Sequence, residues 1–138
     1  MKILVDTSVW SLALRKRNSA DDPCVIELKE LIQEVRVQMI GPIRQELLSG
    51  IRSQSQFKSL RDHLAAFPDL DLNTSDFELA AEFFNINRRK GVQGSNTDFL
   101  ICAVSYRHNM PIFTTDKDFT LFQQHIPIKI HTFRTIVE

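Results

Sequence analysis

The hydrophobic pattern of the chain alternates between short apolar runs and longer stretches with helical spacing. Strands are expected at 2–5, 35–39, 112–114 and 128–133, with a short strand or an extended connector at 70–72. Helices are expected at 9–14, 23–34, 41–49, 53–67, 75–90, 96–108 and 119–123. Because parallel strands need long crossovers, strands separated by helices predict an α/β domain with a mainly parallel sheet.

One predicted helix, 96–108, has no clear polar face. Ser95 or Thr97 can cap its first turn, and a continuous apolar body runs from Phe99 to Val104. A helix that is apolar on all sides packs between other layers, so its first turn is expected close to the centre of the fold. Asp98 lies in that turn.

A capping box marks the start of another helix. The run Ser75-Asp76-Phe77-Glu78 matches this pattern, and the helix that follows ends in basic residues before Gly91. Its apolar side chains recur at helical spacing and are expected to point into the core. They are Phe77, Ala80, Ala81 and Phe84.

Composition adds limits on class and compartment. The 138 residues suit one compact domain that covers 1–138 and does not need disulfide bonds or a structural metal for its stability. Cys24 and Cys102 lie in apolar helical contexts, so free buried thiols in a reducing cytoplasm are expected. The run Ile3-Leu4-Val5 is too short for a signal sequence, and no apolar run approaches the length of a membrane span. We therefore expect a cytoplasmic protein without a membrane partner.

Charge is balanced in total. Seventeen basic and seventeen acidic residues cancel, which argues neither for nor against a nucleic-acid partner. If several acids gather in one site, the remaining surface is basic, most densely in the runs 15–17 and 88–90. These runs are either solvated helix ends or contacts to an RNA backbone. The candidate RNA-binding residues are Arg15, Arg17, Arg88, Arg89 and Lys90.

Four acids are candidates for a single site. Asp6 and Asp116 each follow a predicted strand, and the carboxyl ends of parallel strands meet at one edge of the sheet. Glu46 and Asp98 lie on helices that can lean over the same edge. Carboxylates about 4 Å apart repel by roughly 4 kcal/mol at an effective dielectric near 20. A divalent cation removes that conflict, and oxygen ligands suit Mg²⁺ or Mn²⁺, the ions of phosphodiester hydrolysis.

Each acid also has an ordinary structural explanation. Asp6 can cap the first helix, Asp98 can interact with a helix N-terminus, and Glu46 can be an exposed helical acid. Asp116 and Asp118 can be turn or capping residues. The chain has no phosphate loop, dinucleotide fingerprint, Cys/His metal spacing or nucleophile elbow, so other common chemistries find no support. It is the joint pattern of the acids that favours a site.

This joint pattern resembles the PIN-domain ribonucleases, and specifically the VapC-type toxins of toxin–antitoxin pairs. The order and spacing of the motifs fit over nearly the whole chain. The motifs that carry the resemblance are Ile3–Trp10, Arg44–Gly50, Asn96–Ala103 and Thr114–Phe119.

The resemblance implies a three-layer α/β/α sandwich, a catalytic Mg²⁺ or Mn²⁺ site and cleavage of RNA. It also implies a homodimer and a cognate VapB-like antitoxin that can place a basic side chain in the acidic site. Asp6, Glu46 and Asp98 match the core acids, which bind the metal. Asp116 matches the more variable fourth acid, with Asp118 as the alternative. The supporting polar positions are Ser8, Thr114 and Asn96, of which Asn96 is also a possible helix cap.

Two other functions stay open at this point. A non-catalytic PIN-like module would hold RNA through the basic runs alone, and the presence of all four acids argues against it. A phosphatase of the haloacid dehalogenase type or a receiver domain also uses an aspartate after the first strand. Ser8 stands where the phosphatase motif has its second aspartate, and the early paired acids of a receiver domain are missing.

Overall fold

A parallel three-stranded sheet forms the centre of the fold. In the computed structural model, which describes residues 1–15 and 21–134, strands β1 (Ile3–Val5), β2 (Val37–Gln38) and β3 (Ile112–Phe113) pair in the order β2-β1-β3. β1 is therefore the middle strand, and all three of its residues are buried. A continuous apolar run is typical of a strand that is covered on both faces.

Helices cover both faces of this sheet. Those formed by the described residues are α1 (Thr7–Leu14), α2 (Pro23–Gln33), α3 (Gly41–Leu48), α4 (Gln54–Leu64), α5 (Thr74–Arg89), α6 (Asn96–Arg107) and α7 (Asp118–Gln123). The crossover from β1 to β2 and the one from β2 to β3 run in opposite directions across the sheet. Because such crossovers are right-handed, they place their helices on opposite faces. The predicted α/β class, with its central parallel sheet between helical layers, is confirmed.

Helix α6 is the interior helix that its apolar sequence predicts. Every residue from Phe99 to Ser105 is buried. The helix begins at the cap Ser95, whose hydroxyl accepts a hydrogen bond from the backbone N–H of Asp98 at 3.0 Å. The first turn of α6 is thereby fixed at both its capping residue and its core-facing side.

The capping box of α5 lies two residues earlier than predicted. Asn73, not Ser75, caps the helix, and the Asp76 carboxylate accepts the backbone N–H of Asn73 at 2.9 Å. Asp76 is fully buried and is paired with Arg107 at 2.6 Å and with His108 at 3.2 Å. Burial favours the neutral acid, but the bonds from Asn73 and Arg107 outweigh it and lower the pKa of Asp76. The prediction was wrong because Asp76 is the third helical residue, which binds back to the cap.

Other predicted boundaries also need correction. Val35 is not part of β2, since it has a φ of 56° and closes α2 by a left-handed turn. The predicted last strand forms a single bridge, Ile112 to Ile130, because β3 itself is only two residues long. The segment at 70–72 forms no strand, which leaves the predicted alternative of a connector, and one bridge joins the neighbouring Asp69 to Met39.

The two cysteines are free thiols, as predicted, with Cys102 buried and Cys24 only half-buried. Among the described helices, none combines the length and the apolar character needed to cross a bilayer.

Candidate active site

Asp6 stands at the carboxyl end of the middle strand, where two hydroxyl groups hold its carboxylate. Ser8 Oγ and Thr114 Oγ1 each donate a hydrogen bond to Asp6 Oδ2, both at 2.8 Å. Asp6 is 5% exposed, and it is the N-cap residue of α1 but makes no capping bond with its side chain. The carboxylate is therefore oriented across the sheet edge toward the loop after β3, and capping does not account for it.

The loop after β3 is tied to the loop after β1. The backbone N–H of Thr115 donates to Ser8 Oγ at 3.1 Å, and that of Asp116 donates to Thr114 Oγ1 at 3.0 Å. The predicted supporting roles of Ser8 and Thr114 thus correspond to a shared network of hydroxyls around Asp6. This network fixes the spacing of the two strand ends that carry Asp6 and Asp116.

Asp116 and Asp118 differ in their surroundings. Asp116 is half-buried, and its Oδ1 accepts the backbone N–H of Asp118 at 2.9 Å. Asp118 is exposed in the first turn of α7. The charge of Asp116 also acts on Asp98. The geometry accordingly favours Asp116 as the fourth acid and gives Asp118 the role of a helix-start residue.

Asp98 faces the acids of the two strand ends. Its Oδ2 accepts the backbone N–H of Ser95 at 3.1 Å, so it belongs to a capping box. Burial raises the pKa of the Asp98 carboxyl, the hydrogen bonds from Ser95 lower it, and the nearby charges of Asp6 and Asp116 raise it further. The net shift is upward. The charges of the two strand-end acids therefore act on a third acid, Asp98, in the first turn of α6.

Cys102 lies beneath the acids. It is fully buried, one helical turn after Asp98 on α6. Burial raises the pKa of its thiol well above the usual range, and the charges of Asp98 and Asp6 act in the same direction. The residue is therefore a neutral thiol that forms part of the apolar floor of the site.

Glu46 is tied to the segment that carries Asp6 through a contact that the sequence did not predict. It is exposed on α3, and its Oε1 accepts a hydrogen bond from Thr7 Oγ1 at 2.6 Å. Thr7 directly follows Asp6. The bond thus links Glu46 to the chain segment that carries Asp6, across 39 positions in sequence. In the sequence, the only sign of this bond was the hydroxyl of Thr7 beside Asp6, and a role in capping the first helix explained that hydroxyl equally well.

The donor set fits a hydrated divalent cation. The four acids offer carboxylate oxygens alone, and these are ligands that Mg²⁺ and Mn²⁺ prefer. Within residues 1–15 and 21–134, no three His, Cys, Asp or Glu side chains come together closely enough to enclose an ion. Mg²⁺ does not need such a cage, because it retains several waters and binds through one or two carboxylates. Burial is the main cause of the raised Asp98 pKa, and the charges of Asp6 and Asp116, which such an ion would neutralise, add to it.

The remaining predicted residues that the structure describes lie at the surface, at the ends of α1, α5 and α6. Asn96 is exposed at the start of α6. Arg15 is exposed at the end of α1 and lines a cleft between α1 and α4. Arg88 lines a cavity of ≈ 310 Å³, and both Arg89 and Lys90 are exposed at the end of α5. Arg17 lies outside the described residues.

A comparison of the sequence with models of protein families gives one match that spans the whole site. The model of the PIN domain matches residues 3–123, from β1 to the end of α7. The chain belongs to the PIN domain family. All four acids of the candidate site lie inside the matched part of this PIN domain.

Similar proteins of known name support the assignment to the PIN domain family. The PIN domain is 31% identical over 136 residues to VapC ribonuclease Mb1587 of Mycobacterium bovis, covering 96% of this chain and 99% of that protein. Ribonuclease VapC11 of Mycobacterium tuberculosis matches with the same identity and coverage. The resemblance to VapC-type PIN proteins that the sequence motifs indicated is confirmed.

Solved structures share the fold of this PIN domain. VapBC2 of Rickettsia felis, bound to a DNA fragment of its promoter, aligns with a TM-score of 0.77 at 18% identity, covering 97% of this chain and all of that one (100%). FitAcB of Neisseria gonorrhoeae aligns with a TM-score of 0.75 at 20% identity, over 94% of this chain and 96% of that one.

Proposed function

We propose that this PIN domain is a toxin endoribonuclease that hydrolyses RNA phosphodiester bonds with Mg²⁺ or Mn²⁺ held by Asp6, Glu46, Asp98 and Asp116. The observation that carries the proposal is that the Ser8 and Thr114 hydroxyls tie Asp6 and Asp116 together at two adjacent strand ends, with the charges of both acids acting on Asp98 of α6. Like charges gathered in this way are costly unless a cation neutralises them. The family and the named ribonuclease relatives support RNA as the substrate.

When bound, the ion supplies Lewis acidity toward the phosphate and a water of lowered pKa. The chain's own part is to position the groups around it. Ser8 and Thr114 fix the carboxylate of Asp6, and Ser95 fixes that of Asp98. A hydroxyl or amide that hydrogen-bonds to a metal-binding carboxylate sets the orientation and the basicity of that carboxylate.

Glu46 has a different role in this arrangement. Its Oε1 is occupied by the Thr7 hydroxyl, so Oε2 is the atom available to orient a water or to accept a proton. Its exposed position at the edge of the cluster suits contact with an incoming RNA strand.

The same proposal includes protein partners. Structures that share this fold include complexes of VapBC toxin–antitoxin systems, among them VapBC-1 of nontypeable Haemophilus influenzae. We infer that a VapB-like antitoxin binds this chain and neutralises it by presenting a basic side chain to the carboxylates. We also infer that the chain forms a homodimer.

Expression of the chain in bacteria tests the toxin function. Induction of the unmodified chain alone is expected to stop growth, because uncontrolled RNA cleavage blocks protein synthesis. The Asp98→Asn variant, expressed to the same level, is expected to leave growth unchanged. Arrest that persists in this variant would contradict the proposal and would point to toxicity by binding or misfolding.

Removal of the Thr7 hydroxyl tests the placement of Glu46. Thr7→Val is expected to weaken Mg²⁺ binding by about tenfold. This is the lower end of the loss in metal affinity when a hydrogen-bond partner of a metal ligand is removed. Thr7→Ser keeps the donor and is the matched control. The affinity is measured by calorimetric titration with Mg²⁺ and by the Mg²⁺ concentration that gives half-maximal cleavage. Equal affinities in Thr7→Val and the unmodified chain would show that the bond does not serve the site.

A further inference from the structure

A groove of ≈ 460 Å³ opens between α3, α5 and α6. It is lined by Pro42 of α3, by Phe77, Phe84 and Asn85 of α5, and by Asn96 and Thr97 of α6. We call it the α5 groove. No charged side chain is among the described residues that line it. Its lining is aromatic and amide in character, which suits a flat, neutral group with polar edges.

The predicted inward face of α5 is confirmed only in part, because Ala80 and Phe84 contact the core while Phe77 and Ala81 are exposed in the wall of the groove. Phe77, Ala80, Ala81 and Phe84 share one face of the helix, but only Ala80 is buried, and Phe77 is 53% exposed. The two rings stand two turns apart, about 10 Å along the axis, with small alanine side chains between them. This spacing leaves an apolar slot between two aromatic walls.

The ring of Phe84 is held in place from behind. It packs edge-to-face against the buried Phe99, with ring centroids 5.4 Å apart. A second cavity, of ≈ 310 Å³, shares Phe84 and is lined by the exposed Arg88. The Phe84 ring is therefore held in position before any ligand binds. The cationic side chain of Arg88 lines the cavity on the other side of this ring.

Two walls of the α5 groove continue directly into the acid cluster. On α6, Asn96 and Thr97 line the groove, and the next residue is Asp98. On α3, Pro42 lines the groove, and Glu46 follows one turn later on the same face. A group seated in the groove would thus lie within about one helical turn of the residues proposed to act on the phosphate.

We propose that the α5 groove binds an unpaired nucleobase of the RNA, adjacent to the phosphate that is cleaved; this inference rests on the proposed function. Stacking on Phe77 and Phe84 provides attraction to any base, because every base has a π-face. The amides of Asn85 and Asn96 hydrogen-bond to the base edge. Arg88, across the Phe84 ring, contacts the neighbouring backbone. The groove thereby selects single-stranded RNA, whose bases can be splayed out of the stack.

Binding of defined strands in EDTA tests the proposal apart from cleavage. The probes are fluorescein-labelled single-stranded octaadenylate, octauridylate and a ribose-phosphate strand of equal length without bases, followed by fluorescence anisotropy. Phe77→Ala is expected to weaken binding of octaadenylate by about tenfold, the effect of losing one base–aromatic stack. It should leave binding of the abasic strand unchanged. Tyr106→Ala is the matched control, since Tyr106 is an aromatic side chain of similar exposure, 52%, outside the groove.

Three results would overturn the inference. Unchanged octaadenylate binding by Phe77→Ala, with normal binding by the unmodified chain, would remove the base site and leave the proposed function intact. Equal losses on the abasic strand would show a backbone contact. Conversion of a dimer to a monomer by Phe77→Ala in size-exclusion chromatography, with octaadenylate binding unaffected, would assign the groove to a contact between two copies of the chain. Failure of the unmodified chain to bind any of the strands in EDTA would likewise count against the base site, while cleavage in Mg²⁺ tests the proposed function separately.

Discussion

Replacing Asp98 by asparagine is expected to lower the rate of RNA cleavage on the order of 1,000-fold, because several kcal/mol of metal-dependent stabilisation are lost. Asparagine has almost the same shape, and its amide oxygen can still accept the backbone N–H of Ser95. The capping box of α6 is therefore kept, and the variant should fold. Cleavage of a single-stranded RNA in Mg²⁺ measures the loss, with Asp62→Asn, a change at an exposed acid on α4, as the control.

The stability of this variant distinguishes a functional acid from a structural cap. Burial, together with the charges of Asp6 and Asp116, raises the pKa of Asp98 above its ordinary value of 3.8. A raised pKa in the folded chain means that the ionised acid costs stability. The cost is absent below pH 3.8, grows as the pH rises through the folded pKa and is complete above it.

Without metal at neutral pH, Asp98→Asn is therefore expected to unfold at the same temperature as the unmodified chain or above it, and the difference should vanish in acid. A clear loss of stability in the variant would show that Asp98 is chiefly a cap.

Mg²⁺ is expected to reverse this order of stabilities. A ligand that binds only the folded chain stabilises it by about 2.7 kcal/mol at a concentration of 100 times its Kd. For a chain of this size, that corresponds to a rise in Tm of roughly 10 °C. Asp98→Asn should gain little, because it lacks a carboxylate of the site. The unmodified chain should then be the more stable of the two.

Differential scanning calorimetry with Mg²⁺, and with NaCl at the same ionic strength, separates binding from screening. Salt screens repulsion between carboxylates without binding at a site, so NaCl should raise both Tm values by similar small amounts. A Tm increase in Mg²⁺ that is equal in the unmodified chain and in Asp98→Asn would contradict a metal site that includes Asp98.

The sequence was sufficient to predict the parts of the site that follow from local pattern. The apolar run Ile3-Leu4-Val5 reads as a buried strand, and the acid after it must then stand at a sheet edge. The apolar body of α6 likewise requires burial on all sides, which places Asp98 near the centre. The parallel sheet follows from the alternation of elements.

The features that could not be predicted depend on contacts between distant segments. The bond from Thr7 to Glu46 joins positions 39 apart, and no periodicity reports it. Asn73 and Ser75 are both good caps, and the choice depends on Asp76, whose partners are Arg107, the last residue of α6, and His108, which follows it. Phe77 has the spacing of a core residue, but its side chain is left exposed in the wall of the α5 groove. Helical spacing identifies a shared face but not what covers it.

The decisive measurement is cleavage of RNA by the purified chain in Mg²⁺ and in excess EDTA, beside Asp98→Asn prepared in the same way. We expect rapid cleavage by the unmodified chain in Mg²⁺, none in EDTA, and restoration when Mg²⁺ or Mn²⁺ is added back, with the variant inactive throughout. Cleavage that continues in EDTA, or that Asp98→Asn performs at the same rate, would contradict a metal-dependent active site at these four acids.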